Sequence, residues 1–170
     1  MRALTTILLS GTAFLTSILN AQPVPDPDKK DLLIFREAVT LTELDVLLEN
    51  KGTFTVFAPT DRAFRKLGAS GSANLLGPEN RAQLRTLIAY HIVAGELTAS
   101  RILKALCQGK GSAVFTTVLG EPLLATLDGT DIVLTDCLGN QARIIRADSG
   151  TDNLVFHEID TVVLPATPGP

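Results

Sequence analysis

The chain has 170 residues, a formal net charge of −3 and 45% hydrophobic residues. That length suggests one domain plus a small remainder. A mildly acidic balance with no Lys/Arg cluster argues against nucleic acid as a partner, and equally against an anionic membrane surface.

The first 21 residues read as a secretory signal. Arg2 supplies a positive charge, and the uncharged run from Ala3 to Asn20 follows it. This run is short and rich in Thr, Ser and Gly for a membrane span, which needs about 20 largely apolar residues, and an uncleaved anchor is the alternative to a cleaved signal. Cleavage is expected after Ala21, with Leu19 an imperfect fit to the small residue usual at that position. Removing residues 1–21 takes away Arg2 and no acid, which leaves a net charge of −4. Residues 22–31, "QPVPDPDKKD", form an exposed leader by their prolines and charges.

Two helical stretches are expected next. Thr40 and Glu43 make a capping-box pattern ahead of Leu44, Leu47 and Leu48 at helical spacing, and Gly52 ends that helix. In "GTFTVFAPTDRAF", residues 52–64, Phe54, Val56 and Phe57 mark a short buried strand. Pro59 cannot donate to a sheet ladder and should end it. Thr60 or Asp61 can cap the following helix, which carries Phe64 and Leu67. A small-residue loop spans 68–77, and Pro78 suits the first turn of a helix. That helix aligns Leu84, Leu87, Ile88 and His91 on one stripe. A short helix around Ser100–Cys107 comes next. From Ala113 the pattern turns to β, with candidate strands "AVFTT", "LLATL", "DIVLT", "QARIIRA", "LVFHEI" and "TVVLP". Helices first and strands second give an α+β class with a single domain.

Few residues carry chemistry. His91 shares its stripe with core leucines, and His157 alternates with Val155 and Ile159, so both read as buried, hydrogen-bonded structural residues. Tyr90 lies off the stripe centre, where its hydroxyl could show at a rim as an exposed contact. Cys107 and Cys137 suit a disulfide in an exported protein, closing a loop of about 30 residues; two separate thiols are the alternative. Two distant histidines with no H-E-x-x-H do not make a zinc site. "GKGS" lacks the upstream glycine of a phosphate loop, "GASGS" lacks the spacing of a nucleophile elbow, and "DGTD" and "DSGTDN" lack calcium-loop spacing. These absences point away from an enzyme, a metal site and a cofactor.

Three segments agree on one family. "TFTVFAPTDRAFRKL" resembles the first signature of fasciclin-type domains. "LRTLIAYHIVAGELTASRIL" resembles their Tyr-His segment, and "DSGTDNLVFHEIDTVVLP" their second signature. The resemblance spans residues 52–165 and places the domain at 32–165, with a tail at 166–170. It implies a wedge of two β-sheets flanked by helices, and a non-enzymatic adhesion or interaction module outside the cell or in a periplasm. Its implied partner is an extracellular or cell-surface protein or glycan, with weak self-association possible. An apolar small-molecule carrier and a structural matrix or envelope component are the alternatives. Two departures stand out. The family's Asn-Gly step is here Asn153-Leu154, so a turn that glycine makes at φ > 0 must be formed differently. The Asp-Ile pair linked to integrin binding in animal members falls on Asp148 and Ser149, which keeps the acid and loses its apolar partner. The resemblance therefore puts the contact surface around Tyr90 and Asp148, and argues against integrin-type recognition.

Overall fold

The computed structural model describes residues 31–50, 52–68, 75–151 and 153–166. The expected signal, most of the leader and residues 167–170 lie outside the described residues.

The alternating stretch after Gly52 forms β1, Phe54–Pro59, and all six of its residues are buried. It is paired on both sides, to β2 (Ile92–Ala94) in antiparallel fashion and to β7 (Leu154–Ile159) in parallel. A strand with two partners and two covered faces has no solvent side, so its sequence is a nearly continuous apolar run. Pro59 closes the strand as expected, and a helix follows it at once. In chain order, the helices are α1 (Leu33–Leu41), α2 (Leu44–Asn50), α3 (Asp61–Arg65), α4 (Arg81–Tyr90) and α5 (Ala99–Gln108). Thr60 is the N-cap of α3, its Oγ1 accepting from the Ala63 N–H at 3.2 Å.

The expected capping box at Thr40 and Glu43 is not present. Thr40 sits in the last turn of α1 and donates to the Arg36 carbonyl at 3.2 Å. The break falls after Leu41, where the Thr42 hydroxyl donates to the Ala38 carbonyl at 2.8 Å and Glu43 turns to φ 56°. Leu44 and Leu48 of α2 are buried all the same, because their spacing, not the cap, sets the buried face. The N-terminus of α1 has no local side-chain cap; the Asp61 carboxylate reaches it instead, accepting from the Ile34 N–H at 2.9 Å. Pro78 opens a 3₁₀ turn, Pro78–Asn80, that leads into α4.

The remaining strands are β3 (Ser112–Thr116), β4 (Pro122–Asp128), β5 (Asp131–Thr135) and β6 (Gln141–Thr151). They join the others in one seven-stranded sheet, ordered β2-β1-β7-β6-β5-β4-β3. The two expected sheets are the two arms of this sheet. β6 serves both, pairing with β5 through residues 141–143 and with β7 through residues 144–151, with register breaks between 144 and 149 that bend it. The arms curl until their outer edges meet, where Val93 bridges Thr117 and the Val118 N–H donates to the Ile92 carbonyl at 2.7 Å. The result is a wedge-like α+β domain.

Alternation on β1 divides the interior. Phe54, Val56 and Ala58 pack with Phe35, Phe64, Leu84 and Ile88 from the helices. Phe57 points the other way, into the space between the arms, with Tyr90, Ile102, Leu106, Leu123 and Leu134. "TVVLP" is not a strand. Residues 162–165 join no ladder, and they send Val162 into the first cluster and Val163 into the second. β2 carried no signal of its own, since three residues are too few for a period to be read. Truncating Phe57 empties the centre of the inter-arm core, so Phe57→Ala is expected to cost about 3–5 kcal/mol in urea unfolding.

Candidate functional site

The hairpin between β6 and β7 carries the residues that the second signature pointed to. Asp148 adopts φ 57°, in the left-handed region, and this places its N–H against the ring of His157 at 3.3 Å from Nδ1. His157 is fully buried, and its Nε2 donates to the Leu97 carbonyl at 2.6 Å. Nδ1 accepting and Nε2 donating describe a neutral imidazole. Burial holds its pKa below the ordinary histidine value, against the opposing pull of the Leu97 carbonyl and Asp148. The ring also stacks on Phe57, with centroids 5.5 Å apart.

The Asp148 side chain is exposed, and its Oδ1 accepts from the Ala99 N–H at 2.7 Å, at the start of α5. The hairpin is thereby tied to the segment 95–99. Thr98 caps α5 by accepting from the Arg101 N–H, and Glu96 pairs with Arg101 at 2.9 Å. From inside, buried Thr55 holds the same segment, donating to the Gly95 carbonyl at 2.7 Å and accepting from the Leu97 N–H at 2.8 Å. Between segment and hairpin lies an open polar cleft of about 380 Å³, lined by Glu96, Thr98, Asp148, Ser149 and Val155 among others. The glycine requirement of this hairpin falls on Gly150, at φ 140°, where an added Cβ would meet the Leu154 carbonyl oxygen at 1.9 Å. Leu154 simply opens β7, and the Asn153 carbonyl accepts from the Phe54 N–H at 3.0 Å.

Tyr90 is not on this surface. It is fully buried, which corrects the expectation of an exposed contact. Its hydroxyl donates to the Pro122 carbonyl at 2.8 Å and accepts from the Cys137 N–H at 3.3 Å. The buried face of α4 is wider than a single stripe, because the curled sheet covers the helix on a second side. The disulfide is likewise corrected: Cys107 and Cys137 are both free and exposed. Cys107 follows buried Leu106 on the solvent side of α5, while the Cys137 thiol lies 3.4–3.5 Å from the Pro122 carbonyl and the Tyr90 hydroxyl.

His91 has the buried position its stripe implied. Its Nδ1 donates to the Leu87 carbonyl at 2.8 Å and its Nε2 accepts from the Val163 N–H at 3.3 Å. Sequence reasoning missed Asp136, which is buried in the β5–β6 turn. It accepts from the N–H groups of Leu138, Asn140 and Leu164 and from the Asn140 side chain. The run "TDCLGN" reads as a turn, and nothing in it announces that its acid reaches residue 164. Among the described residues, no group of three or more His, Cys, Asp or Glu is placed to hold a metal ion. No described helix is long and apolar enough to cross a membrane.

The family model of the fasciclin domain matches residues 30–165. The chain belongs to the fasciclin domain family. Protein sll1483 of Synechocystis sp. is 35% identical over 128 residues, 75% of this chain and 64% of that protein. Cell surface glycolipoprotein MPB83 of Mycobacterium bovis is 28% identical over 155 residues, 89% of this chain and 54% of that one. Among solved structures, a FAS1 domain pair from the insect cell adhesion molecule fasciclin I matches with a TM-score of 0.62 and 25% identity. That match covers 80% of this chain and 46% of the other. The chain thus spans about half to two-thirds of the length of each of these proteins. The signature residues of this fasciclin domain are largely buried: Asp61 caps a helix, and the two histidines join segments distant in sequence.

Burial pushes the His91 pKa down to about 4, from about 6.5 in an unfolded chain. The unfolded state therefore takes up the proton first, so stability falls as pH drops below 6.5 and the loss is complete near 4. The full effect is about 3 kcal/mol. Imidazole NMR should show His91 neutral at pH 5.5; a protonated ring at that pH would contradict its full burial.

Proposed function

We propose that this fasciclin domain is a secreted or periplasmic adhesion module, and that its contact surface is the Asp148 hairpin with the cleft beside it. One observation carries the reading. Asp148 is held in a left-handed turn by buried His157 and by the start of α5, yet its side chain stays exposed beside an open polar cleft. A surface residue fixed by the core loses little conformational freedom on binding, which favours recognition. The likeness to domains of a cell adhesion molecule and of a cell surface glycolipoprotein supports the same role. The partner fitting this surface is an extracellular or cell-surface protein or glycan. Ser149, where animal adhesion members carry an apolar residue, donates to the Phe156 carbonyl at 3.2 Å and gives no apolar anchor, so recognition is polar. A single domain binds weakly, and density on a surface would raise avidity by about 10² to 10⁴.

Beads coated with residues 22–170 are expected to adhere to host cells or matrix more than beads carrying an unrelated acidic domain at equal density. Asp148→Ala should abolish the difference while thermal unfolding shows the variant folded. Unchanged adhesion in a folded variant removes the Asp148 surface from the reading.

A second reading, carriage of an apolar small molecule, is favoured by a different feature. A groove of about 330 Å³ lies between α1, α2 and β7, with Phe35, Val39, Leu48, Leu154 and Phe156 on its walls. Native mass spectrometry of protein from the natural host is expected to show a bound apolar ligand under this reading, and bare protein counts against it.

A further inference from the structure

The last described segment, residues 162–166, is fastened by side chains instead of a ladder. Three of its backbone N–H groups donate to them. Val163 donates to His91 Nε2 at 3.3 Å, Leu164 to Asp136 Oδ2 at 2.8 Å, and Ala166 to Glu121 Oε2 at 2.8 Å. Each acceptor comes from a different place: the end of α4, the β5–β6 turn and the β3–β4 turn. The segment also plugs both cores, with Val162 2% exposed in one and Val163 fully buried in the other.

We propose that residues 162–166 form an acid-released strap, fastened by three side-chain acceptors of which His91 loses its lone pair and Glu121 its charge on protonation, and that it lets go before the sheet unfolds. Protonated His91 would place an Nε2–H against the Val163 N–H, turning attraction into repulsion. Protonated carboxyl groups accept more weakly than carboxylates, since charge-assisted bonds are the stronger ones. The strands are held by backbone-to-backbone bonds, which do not titrate. The surroundings leave the switch intact. Around His91 stand the Phe35 ring edge at 6.2 Å, the Leu87 carbonyl and the charge of Asp136. Tyr90 and Cys137 are the titratable groups beside Asp136; the Tyr90 hydroxyl donates to the Pro122 carbonyl, and the Cys137 thiol lies within 3.5 Å of both. Release would bare the sites of Val162 and Val163, opening an apolar surface that is closed at neutral pH.

Amide hydrogen exchange on the full chain, corrected for intrinsic rates, tests this between about pH 7 and about pH 4, where imidazole and carboxylate groups titrate. Protection at Val163 and Leu164 is expected to fall at least roughly tenfold further than at the amides of β1 and β7, which share only the general loss of stability that the buried histidines bring on acidification. Glu121→Gln retains an acceptor that does not titrate, so it should carry Ala166 protection to lower pH than in the wild type. A loss in the sheet equal to that in the strap overturns the proposal. So does strap protection that persists at the acid end, or a Glu121→Gln variant whose Ala166 amide follows the wild-type pH dependence.

Discussion

The structure depends on β1 having no free side. Six residues lie between two neighbouring strands and two hydrophobic clusters, and every other element is placed relative to them. Parallel pairing with β7 brings the two family signatures side by side, Phe54 opposite Leu154 and Pro59 opposite Ile159. Antiparallel pairing with β2 draws in the end of α4. Because successive side chains point to opposite faces, one strand organises two cores, with Val56 serving the helical side and Phe57 the space between the arms. Parallel β1–β7 pairing joins residues about a hundred positions apart. Such long loop closure is an entropic cost that dense burial on both faces must offset.

Packing this dense forces polar groups inside, and the domain uses them as fasteners. Asp61 caps a helix that begins 28 residues earlier, Thr55 holds the loop before α5, and the histidines fix the strap and the β6–β7 hairpin. Among the described residues, no buried side-chain nitrogen or oxygen lacks a hydrogen-bond partner. A buried polar group without a partner would cost about 1–3 kcal/mol, so each of these positions tolerates few replacements. The family signature is therefore mostly a record of internal joints. Exposed residues sit at the margins of those joints, as Asp148 does.

The second core shows how far a local pattern can mislead. A helical wheel of α4 gives one buried stripe, and Tyr90 falls off its centre. The curled sheet covers that flank too, and Tyr90 becomes one of the largest fully buried side chains. Cys107 and Cys137 match by count and by expected compartment. Yet α5 presents Cys107 outward beside buried Leu106, while the other thiol sits near the Tyr90 hydroxyl. Neither outcome has a local signal, because each depends on which element comes to lie on top.

Periodicity and turn chemistry fix a great deal without any fold. The strand ending at Pro59, the Thr60 cap, the buried spacing of Leu44 and Leu48, the strands from Ala113 onward and the two buried histidines are all legible in local sequence. They follow from rules acting over a few residues: side-chain alternation, helical repeat and the donor that proline lacks. The order of helices before strands gives the α+β class, and the family motifs add the wedge. Only the tertiary structure decides that the two expected sheets are one, bent at β6, and that "TVVLP" is a strap instead of a strand. It also decides that Asp136 reaches Leu164 and that Asp148 is held by both His157 and α5. Those contacts join residues far apart in the chain, and their acceptors carry no mark in sequence that names the donor they will meet.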